Sequence, residues 1–365
     1  MLALIRLSLA ARRAILPSPL RLLPALHMQP FSSTSCLFAQ KEDDKSDKPQ
    51  AAHFAKDKPR PVSSGKAVSD HAVEEAPPGL PEDTAAQAPP SPLPTSDLFN
   101  LRNRTVVVTG GGRGLGLTIA QSLLESGANV VCLDLLPTPS QPQWSHALHT
   151  ASSSSLSLKY ISLDVTDQSS VTQTFQQIFD EAPADAPVRG LFVAAGIQLM
   201  LPAVDYPVEK FRKVVDINLT GSFLCAQAFA RERFARFPSA PSEGGGASIV
   251  FTASMSAHIA NKGLDCVPYN ASKAAVLQMA KNLAYEWGQK GVRVNTLSPG
   301  YIKTALTAAL LDEKPELNDT WLQGSLLGRL STPDEFRGPV IYLLSDASSF
   351  MTGADLLIDG GHCAT

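Results

Sequence analysis

The sequence predicts an α/β fold in which one doubly wound parallel sheet carries helices on both of its faces. Three observations support this prediction. Short, apolar, β-branched runs alternate with stretches of helical periodicity between residues 98 and 361. A glycine-rich turn joins the first of these runs to the first helical stretch. The residues before 98 have a composition that cannot supply a packed core, so the alternation describes a single domain.

Seven short runs have the length and composition of strands. They are predicted at Thr105–Thr109, Asn129–Asp134, Tyr160–Leu163, Leu191–Ala195, Ser248–Thr252, Arg293–Leu297 and Leu356–Ile358. Because helical patterns separate most of these runs, a helix would carry the chain back across the sheet each time, and this favours parallel pairing.

Helical periodicity occupies much of the chain between these strands. The predicted helices are Gly114–Ser126, Ser169–Glu181, Glu209–Arg236, Ala271–Trp287 and Pro333–Leu344. Proline and serine predict a surface loop with one helical turn at Leu135–Ser157, and proline and glycine predict a loop at Phe237–Gly246. Residues Tyr301–Gly328 are predicted to cover a pocket as a mixed apolar lid.

Two segments precede the predicted domain, which spans residues 98–365. Residues 1–40 contain four arginines among leucines and serines and no acidic residue, which is typical of a mitochondrial transit peptide. Residues 41–97 are rich in proline, alanine, serine and charged side chains, so a disordered linker is predicted. We therefore expect the protein in the mitochondrial matrix, with the cytoplasm as the alternative.

Charge and cysteine content narrow the classes of partner. The formal net charge of −3 provides no basis for nucleic acid binding. The five cysteines are scattered and form no Cys-x-x-Cys pair, so neither a disulfide framework nor a metal site is predicted. Prolines interrupt the apolar run at the N-terminus, so no membrane-spanning segment is expected there.

The glycine-rich turn from Thr109 to Gly116 points to a dinucleotide. Its spacing is Gly-x-x-x-Gly-x-Gly, and it lies between the first predicted strand and the first predicted helix. Glycines permit a tight turn with close backbone approach, and the helix N-terminus can face a pyrophosphate. The fold is therefore predicted to be Rossmann-type. The candidate cofactor-binding residues of this turn are Gly110, Arg113, Gly114, Leu115 and Gly116.

Two acidic residues end neighbouring strands and bear on the choice of cofactor. Asp134 can accept hydrogen bonds from the adenosine ribose hydroxyls and would repel a 2′-phosphate, which favours NAD over NADP. Arg113 in the glycine turn favours NADP, because a cation there could meet that phosphate. Asp164, followed by Val165, could accept a hydrogen bond from the adenine amine or could cap the next helix.

A tyrosine and a lysine four residues apart are the candidate catalytic pair. Tyr269 and Lys273 fall in a predicted helical stretch, where positions i and i+4 share one face. A free tyrosine has a pKa of about 10, and a nearby ammonium favours the phenolate. The same spacing recurs at Tyr206 and Lys210, although Pro207 suggests a turn or helix start there. The spacing alone does not choose between the pairs.

Together, these motifs resemble the short-chain dehydrogenase/reductase family over about residues 101–361. The matching stretches are the turn at 109–116, Asp164-Val165, Ala194-Ala195-Gly196, Asn218, Ser254, Tyr269 with Lys273, Pro299-Gly300 through Thr304, Thr352-Gly353 and Asp359-Gly360-Gly361. The resemblance places the catalytic tyrosine at Tyr269 rather than Tyr206. It also implies a hydride transfer between NAD or NADP and a secondary alcohol or ketone.

The resemblance further implies roles for individual residues. Tyr269 would be the general acid or base, with its pKa lowered by Lys273, which would also hold the nicotinamide ribose. Ser254 would donate a hydrogen bond to the substrate oxygen. Asn218 would shape the active-site helix and hold a water in a proton relay. The further cofactor-binding residues implied are Ala195, Gly196, Pro299, Gly300, Ile302 and Thr304.

Two features depart from the family pattern. The segment Val193-Ala194-Ala195-Gly196 keeps the glycine beside the cofactor but lacks the usual asparagines, whose hydrogen bonds steady the central strand. Ser254 precedes Tyr269 by fifteen residues, two more than in the commoner pattern. Ser256 lies thirteen before, so it is the alternative to Ser254.

Within the family, the chain resembles the fungal branch of sorbose reductases and of mannitol and arabinitol dehydrogenases. The stretches concerned are residues 254–262, 267–273, 284–287 and 298–302. This resemblance implies a sugar alcohol and its ketose as substrates, and a homotetramer or homodimer. The alternatives are a 3-oxoacyl-thioester reductase of mitochondrial fatty-acid synthesis and a cofactor-binding sensor or scaffold without turnover. His258 and Cys266 are expected to flank the pocket with a structural role.

Overall fold

A seven-stranded, wholly parallel sheet forms the centre of the computed structural model, which describes residues 93–238 and 246–364. The strands are β1 (Thr105–Thr109), β2 (Asn129–Asp134), β3 (Leu158–Ser162), β4 (Val188–Val193), β5 (Ala247–Thr252), β6 (Val292–Pro299) and β7 (Asp355–Ile358). They lie in the order β3-β2-β1-β4-β5-β6-β7. The predicted transit peptide, the linker up to residue 92 and most of the Phe237–Gly246 loop lie outside the described residues.

The prediction of a doubly wound parallel sheet is confirmed, and all seven predicted strands are present. Each end lies within three residues of its predicted position. The largest difference is in β4, which runs from Val188 to Val193 rather than from Leu191 to Ala195. Successive strands are added on one side of β1 up to β3 and on its other side from β4 onwards, so the strand order reverses between β1 and β4. In open sheets of this kind, a crevice for ligands lies at that point, outside the carboxyl ends of the strands.

Ten α-helices occur in the described residues, most of them packed on the sheet. They are α1 (Thr95–Leu98), α2 (Gly114–Glu125), α3 (Gln143–Ser153), α4 (Gln168–Glu181), α5 (Val208–Val215), α6 (Ser222–Arg236), α7 (Val267–Trp287), α8 (Ala305–Glu313), α9 (Glu316–Gly324) and α10 (Arg337–Leu344). Helix α1 occupies the end of the segment whose composition predicted a disordered linker.

The side chains of β1 explain why helices cover both faces. Val107 packs into one apolar cluster with buried residues of α4, α6 and α7. Its neighbours Val106 and Val108 point to the opposite face and pack with residues of α2, α3 and α10. Every residue of β1 is buried, because a central parallel strand alternates between two covered faces.

The helix predictions need corrections in four places, three of which lie outside the catalytic helix. The predicted helix Glu209–Arg236 is interrupted by a π-helical segment, Asp216–Gly221, which separates α5 from α6. The predicted loop Leu135–Ser157 contains the eleven-residue helix α3, whose Trp144 and Ala147 are buried against the sheet. Its proline and serine content argued against a helix. Burial of a few apolar side chains outweighs this weak helix propensity. The predicted lid contains two helices, α8 and α9.

The catalytic-helix prediction was too short at its beginning. Helix α7 starts at Val267 rather than Ala271, with Pro268 in its first turn. Proline suits that position because its missing N–H would have no intrahelical partner there. The helix therefore includes Tyr269 and Lys273 together. Among the described residues, no helix is both long and apolar enough to cross a bilayer.

Candidate active site

The carboxyl ends of the strands carry nearly all the residues that the sequence singled out. The glycine turn follows β1, Asp134 ends β2, and Ala195 with Gly196 follows β4. Ser254 follows β5, and Pro299 ends β6. Because the strands are parallel, these ends lie along one edge of the sheet, and one crevice can serve them all.

The glycine turn has the shape required of a backbone cradle. Gly110 has a φ of +68°, and a Cβ atom there would lie 2.8 Å from the backbone nitrogen of Ala195. The turn therefore packs directly on the end of β4. Gly114 has a φ of +54°, yet a Cβ there would meet no atom within 4 Å. Its surroundings are open at the N-terminus of α2, where backbone N–H groups suit a pyrophosphate, so the turn fits a dinucleotide.

Asp134 ties the glycine turn to the end of β2. Its carboxylate accepts hydrogen bonds from the backbone N–H of Gly112 at 2.9 Å and of Leu136 at 3.1 Å. The side chain is partly exposed, so lone pairs remain for ribose hydroxyls. Arg113 is exposed in the same turn and precedes the first residue of α2. The structure thus keeps a carboxylate and a guanidinium in the same part of the site.

The two roles considered for Asp164 are now distinguishable in part. Asp164 is exposed and accepts hydrogen bonds from the backbone N–H and hydroxyl of Thr166. It does not cap the following helix, because Asp167 accepts from the N–H groups of Ser169 and Ser170 and fills that position. The suggestion that Asp164 is the cap is therefore wrong. Val165 is buried in the adjoining core.

Thr109 replaces part of the missing asparagine network. Its hydroxyl oxygen accepts hydrogen bonds from the backbone N–H groups of Ala194 at 3.2 Å and Ala195 at 3.3 Å. The end of β4 is thereby fixed to the end of β1. A Cβ atom at Gly196 would lie 3.2 Å from Asn218 Oδ1 and 3.6 Å from Lys273 Nζ. Glycine therefore leaves room for these two buried polar groups close to the turn.

Asn218 lies in the π-helical segment and is fully buried. Its amide donates hydrogen bonds to the carbonyl oxygen of Ile197 and to the hydroxyl of Ser272, and its Oδ1 accepts from the Ile197 N–H. These bonds join the chain after β4 to helix α7. π-Helical turns are frequent at functional sites, and this one aims Asn218 between the two segments. The implied role in shaping the active-site helix therefore has a structural basis.

Tyr269 and Ser254 have neighbouring hydroxyl groups. Burial raises the pKa of Tyr269, and a hydrogen bond from the Ser254 hydroxyl opposes that effect by lowering the pKa. The Ser254 oxygen also accepts a 3.1 Å hydrogen bond from the Ser256 N–H, which orients it. The structure thus brings Ser254 to Tyr269, whereas Ser256 contributes its backbone to the same turn.

Lys273 is buried one helical turn after Tyr269. Burial lowers the pKa of Lys273 to about 8. Its ammonium donates a 2.6 Å hydrogen bond to the Thr252 carbonyl and lies 5.7 Å from the Tyr269 ring centroid. Lys273 is not among the groups that shift the pKa of Tyr269 here, so its lowering of that pKa remains a prediction, and in this structure the pKa is raised. The physical reason is that burial dominates and the ammonium is directed to a backbone carbonyl.

The other tyrosine–lysine pair has a different setting. Tyr206 precedes the first residue of α5, so it does not share a helix face with Lys210. Its hydroxyl donates a 3.1 Å hydrogen bond to the Leu199 carbonyl oxygen, and Lys210 is exposed. This geometry supports Tyr269 as the catalytic tyrosine.

The segment after β6 contains the residues implied for the nicotinamide end. The Gly300 N–H donates to the Ile358 carbonyl oxygen at 2.8 Å, which fixes the turn after Pro299. Ile302 pairs with Ser331 in an isolated parallel bridge. Thr304 lies at the beginning of α8, where its hydroxyl oxygen accepts a hydrogen bond from the Thr307 N–H. Backbone groups around Ile302 and the Thr304 hydroxyl are thus held in one turn.

Two asparagines near Tyr269, Asn261 and Asn270, were not singled out from the sequence as site residues. Asn270 donates to Asn261 Oδ1 at 3.0 Å, and Asn261 donates to the Tyr301 hydroxyl at 3.2 Å. Cys266 donates to Asn270 Oδ1 at 3.0 Å, and its thiol also contacts the Gln198 side chain. The asparagines stand inside the quoted motifs, and an Asn directly after the catalytic tyrosine was the available signal.

His258 joins the loop after Ser254 to the far strands. Its Nε2 lies 3.0 Å from an oxygen of Asp355 on β7. The other Asp355 oxygen accepts hydrogen bonds from Thr296 at 2.6 Å and Ser298 at 2.8 Å, both on β6. A structural role was expected for His258, and this network provides one. In the described residues, no group of three or more His, Cys, Asp or Glu side chains could hold a metal ion.

Comparison with known families and proteins agrees with this geometry. Residues 110–363 match a family model described as enoyl-(acyl carrier protein) reductase. A short chain dehydrogenase/reductase of Aspergillus versicolor, notP′, is 50% identical over 287 residues, which cover 78% of this chain and 94% of that protein. Sorbose reductase sou1 of Schizosaccharomyces pombe is 36% identical over 270 residues, covering 74% and 99%.

A solved structure and a further relative extend the comparison. The crystal structure of gox2181 superposes with a TM-score of 0.66 at 34% identity, covering 74% of this chain and 99% of that one. A D-arabinitol 2-dehydrogenase of Candida tropicalis is 34% identical over 273 residues. The resemblance to the fungal sorbose reductase and arabinitol dehydrogenase branch is therefore confirmed.

Proposed function

This chain belongs to the short-chain dehydrogenase/reductase family and is an NAD(P)-dependent oxidoreductase acting on CH–OH groups, and we propose that it interconverts a polyol and a ketose. The observation that carries this proposal is the hydrogen-bonded pair of Ser254 and Tyr269 within a set of neutral polar side chains. Asn261, Asn270 and Gln198 lie in that set. Such surroundings suit a substrate with several hydroxyls, because neutral amides and hydroxyls both donate and accept hydrogen bonds. Gln198 is the exposed member of the set, whereas Asn261 is buried.

The proton chemistry can be assigned to this chain's own residues. Tyr269 donates its phenolic proton to the carbonyl oxygen during reduction and accepts the hydroxyl proton during oxidation. When the substrate binds, the single hydroxyl proton of Ser254 turns from Tyr269 to the same substrate oxygen, while the Ser254 oxygen keeps its hydrogen bond from the Ser256 N–H. Lys273 contributes positive charge beside the developing phenolate. When bound, the nicotinamide cofactor supplies or accepts the hydride.

The residues that would hold the cofactor follow the edge of the sheet. The turn from Gly110 to Gly116 would take the pyrophosphate at the N-terminus of α2. Asp134 would accept hydrogen bonds from the adenosine ribose, and Asp164 with Val165 would flank the adenine. Lys273, Gly196 and four residues after β6 would surround the nicotinamide riboside, namely Pro299, Gly300, Ile302 and Thr304.

We propose NAD as the preferred cofactor, with NADP used less efficiently. Asp134 supports this preference because its partly exposed carboxylate stands at the end of β2 and carries a negative charge. A 2′-phosphate near it would be repelled by about 1 to 4 kcal/mol at a separation of about 4 Å, depending on solvent screening. Arg113 would offset part of this repulsion, since its guanidinium is exposed in the neighbouring turn.

The cellular location and the assembly are proposals of the same kind. Residues 1–40, with four arginines and no acidic residue, support delivery to the mitochondrial matrix, with the cytoplasm as the alternative. A fluorescent protein carrying residues 1–40 should enter mitochondria, and diffuse fluorescence would contradict this. Membership of this family and the long helices α6 and α7, which would form the larger interface, support a homodimer or homotetramer. Light scattering coupled to size-exclusion chromatography would measure the molar mass and so test the proposed assembly.

The decisive experiment measures absorbance of reduced cofactor with the purified full-length chain. Fructose, sorbose, ribulose and xylulose would be offered with NADH or NADPH, and the matching polyols with NAD or NADP. We expect turnover with at least one ketose, and faster turnover with NADH than with NADPH. Acyl-thioester substrates form the second arm. Turnover of a 3-oxoacyl thioester without turnover of any ketose would replace the proposed substrate class.

A further inference from the structure

The aromatic side chain of Tyr301 packs against helix α9 of the lid. Its ring stacks on the indole of Trp321 in α9, with centroids 4.1 Å apart and an interplanar angle of 11°. The His362 ring packs edge-on against Tyr301, with ring centroids 5.4 Å apart and an interplanar angle of 89°. Trp321 is 2% exposed. The position of α9 therefore depends on where Tyr301 is held.

Tyr301 is in turn held by the amide of Asn261, which is itself held by Asn270 on the catalytic side of the crevice. Asn261 Nδ2 donates to the Tyr301 hydroxyl at 3.2 Å, and Asn261 Oδ1 accepts from Asn270 Nδ2 at 3.0 Å. Asn270 directly follows Tyr269, and its amide also donates to the Ile259 carbonyl oxygen at 2.9 Å. We name the path Asn270–Asn261–Tyr301 the amide bridge. It joins the catalytic helix, the Ser254 loop and the lid.

Burial and hydrogen bonds at both ends of the Asn261 amide make the amide bridge geometrically specific. Asn261 is 6% exposed, and both ends of its amide have a partner. The Asn270 oxygen accepts from the Cys266 thiol, so its amide is oriented as well. A buried amide whose groups are satisfied in only one arrangement disfavours alternatives, because any shift leaves a polar group unpaired. Apolar side chains would fill the same space without that restriction.

We propose that Asn261 is a positioning residue that sets the lid, through Tyr301, relative to Tyr269 and thereby controls binding of the carbonyl substrate. Asn261 makes no proton transfer in this scheme. It acts on the substrate-binding lid, while the Tyr301 neighbours Ile302 and Thr304 belong to the cofactor side. The inference rests on the proposed function for its substrate, although the lid geometry can be measured without turnover.

The test uses two variants that break the same bridge differently, in the full-length protein. Asn261→Leu removes both hydrogen bonds at similar volume, and Tyr301→Phe removes only the hydroxyl and keeps the stack on Trp321. We expect each to raise KM for the carbonyl substrate about tenfold, with kcat within threefold and cofactor affinity unchanged. The double variant should resemble a single one, because the two groups form one interaction.

Asn282→Leu is the matched control. Asn282 lies on the same helix α7 and accepts a 2.9 Å hydrogen bond from Gln278, but this pair is exposed. We expect its KM and kcat to match those of the unchanged protein. A loss of thermal stability in Asn261→Leu and Tyr301→Phe with KM unchanged would overturn the proposal, since the bridge would then serve folding alone. Multiplicative effects in the double variant would overturn it as well.

Tryptophan fluorescence supplies a readout that does not depend on the substrate class. The three tryptophans, Trp144, Trp287 and Trp321, are 8%, 8% and 2% exposed. Breaking the bridge should increase acrylamide quenching, and adding Trp321→Phe should abolish that increase. If no ketose is turned over but this quenching change occurs, the substrate assignment fails and the lid inference stands. Unchanged quenching in both bridge variants would reject the inference whatever the substrate.

Discussion

The Lys273 ammonium donates a 2.6 Å hydrogen bond to the carbonyl oxygen of Thr252, the last residue of β5. This contact joins the catalytic helix to the strand that leads into Ser254. The lysine is 5% exposed, and burial lowers its pKa to about 8. The site thus holds a cation where water no longer solvates it fully. Burial of this ammonium therefore lowers the stability of the fold while it places a positive charge in the catalytic site.

Replacing Lys273 by Met should therefore stabilise the fold while it removes activity. The pKa falls from 10.5 to about 8, which corresponds to roughly 3 kcal/mol of destabilisation at pH 7. Loss of the hydrogen bond to Thr252 destabilises the variant by roughly 1 kcal/mol, so the expected net gain in stability is about 2 kcal/mol. Urea unfolding of both proteins at pH 7 would measure it.

The pH dependence of this gain has a definite sign. Above pH 8 the folded protein releases the Lys273 proton while the unfolded chain keeps it until about pH 10.5. Stability of the unchanged protein should rise relative to Lys273→Met across that interval, so the difference shrinks towards pH 10. A difference that is constant from pH 7 to pH 10 would contradict the burial argument.

Tyr269→Phe should lower kcat by about 10³-fold and leave cofactor binding intact. The phenolic proton is lost, and general acid–base catalysis of this kind contributes about 10²- to 10⁴-fold. Tyr206→Phe is the matched control, because it has the same lysine spacing but its hydroxyl bonds to the Leu199 carbonyl. Steady-state rates and NADH fluorescence titrations would be compared. Equal losses in the two variants would exclude the assignment to Tyr269.

The sequence predicted the sheet and the site residues because both depend on local patterns. β-Branched runs such as Thr105–Thr109 must be buried on both faces, and the glycine turn has few other uses at that position. Parallel topology then places every strand end at one edge. This is why Gly110, Ser254 and Asp134 could be expected at one crevice before any coordinates were considered.

The unpredicted parts depend on contacts between distant segments. Periodicity cannot show the π-helical segment at Asp216–Gly221, because six residues make little more than one turn and are too few to define a period. The direction of the Tyr269 pKa shift depends on burial rather than on spacing. The link from Asn261 to Tyr301 joins residues forty positions apart, so no local motif could indicate it.

Ser254→Ala should reduce kcat about 100-fold, whereas Ser256→Ala should stay within threefold. Only Ser254 has its hydroxyl hydrogen-bonded to Tyr269, and loss of one donor to a reacting oxygen typically has an effect of 10²- to 10³-fold. Ser256 serves through its backbone N–H, which alanine retains. The reverse ranking of the two variants in a ketose-reduction assay would identify Ser256 as the substrate donor.

Asp134→Asn should raise the NADP-to-NAD ratio of kcat/KM about tenfold. The charge is removed, while the amide oxygen can still accept from the Gly112 N–H that lies 2.9 Å from the carboxylate. Arg113→Ala should change the ratio in the opposite direction, because it removes the neighbouring cation. Initial rates with both cofactors would show this. If Asp134→Asn affects both cofactors equally, the carboxylate serves the turn and does not select the cofactor.

Alanine at Gly110 and at Gly114 should separate folding from cofactor binding. Both positions have positive φ values, +68° and +54°, and each should lose about 1 to 2 kcal/mol of stability from backbone strain. The Gly110→Ala variant should lose more stability, because the added Cβ would lie 2.8 Å from the Ala195 nitrogen. Overpacking of that kind adds about 1 to 3 kcal/mol of destabilisation.

Gly114→Ala, by contrast, introduces a methyl group into open space at the N-terminus of α2. We expect a small decrease in thermal stability but at least a tenfold loss of NADH affinity, because the methyl group occupies space that the pyrophosphate needs. Thermal unfolding and NADH fluorescence titration would be run on both variants. Unchanged NADH affinity in Gly114→Ala would mean that the cofactor phosphates do not approach this turn, and the cofactor site would then have to lie elsewhere along the sheet edge.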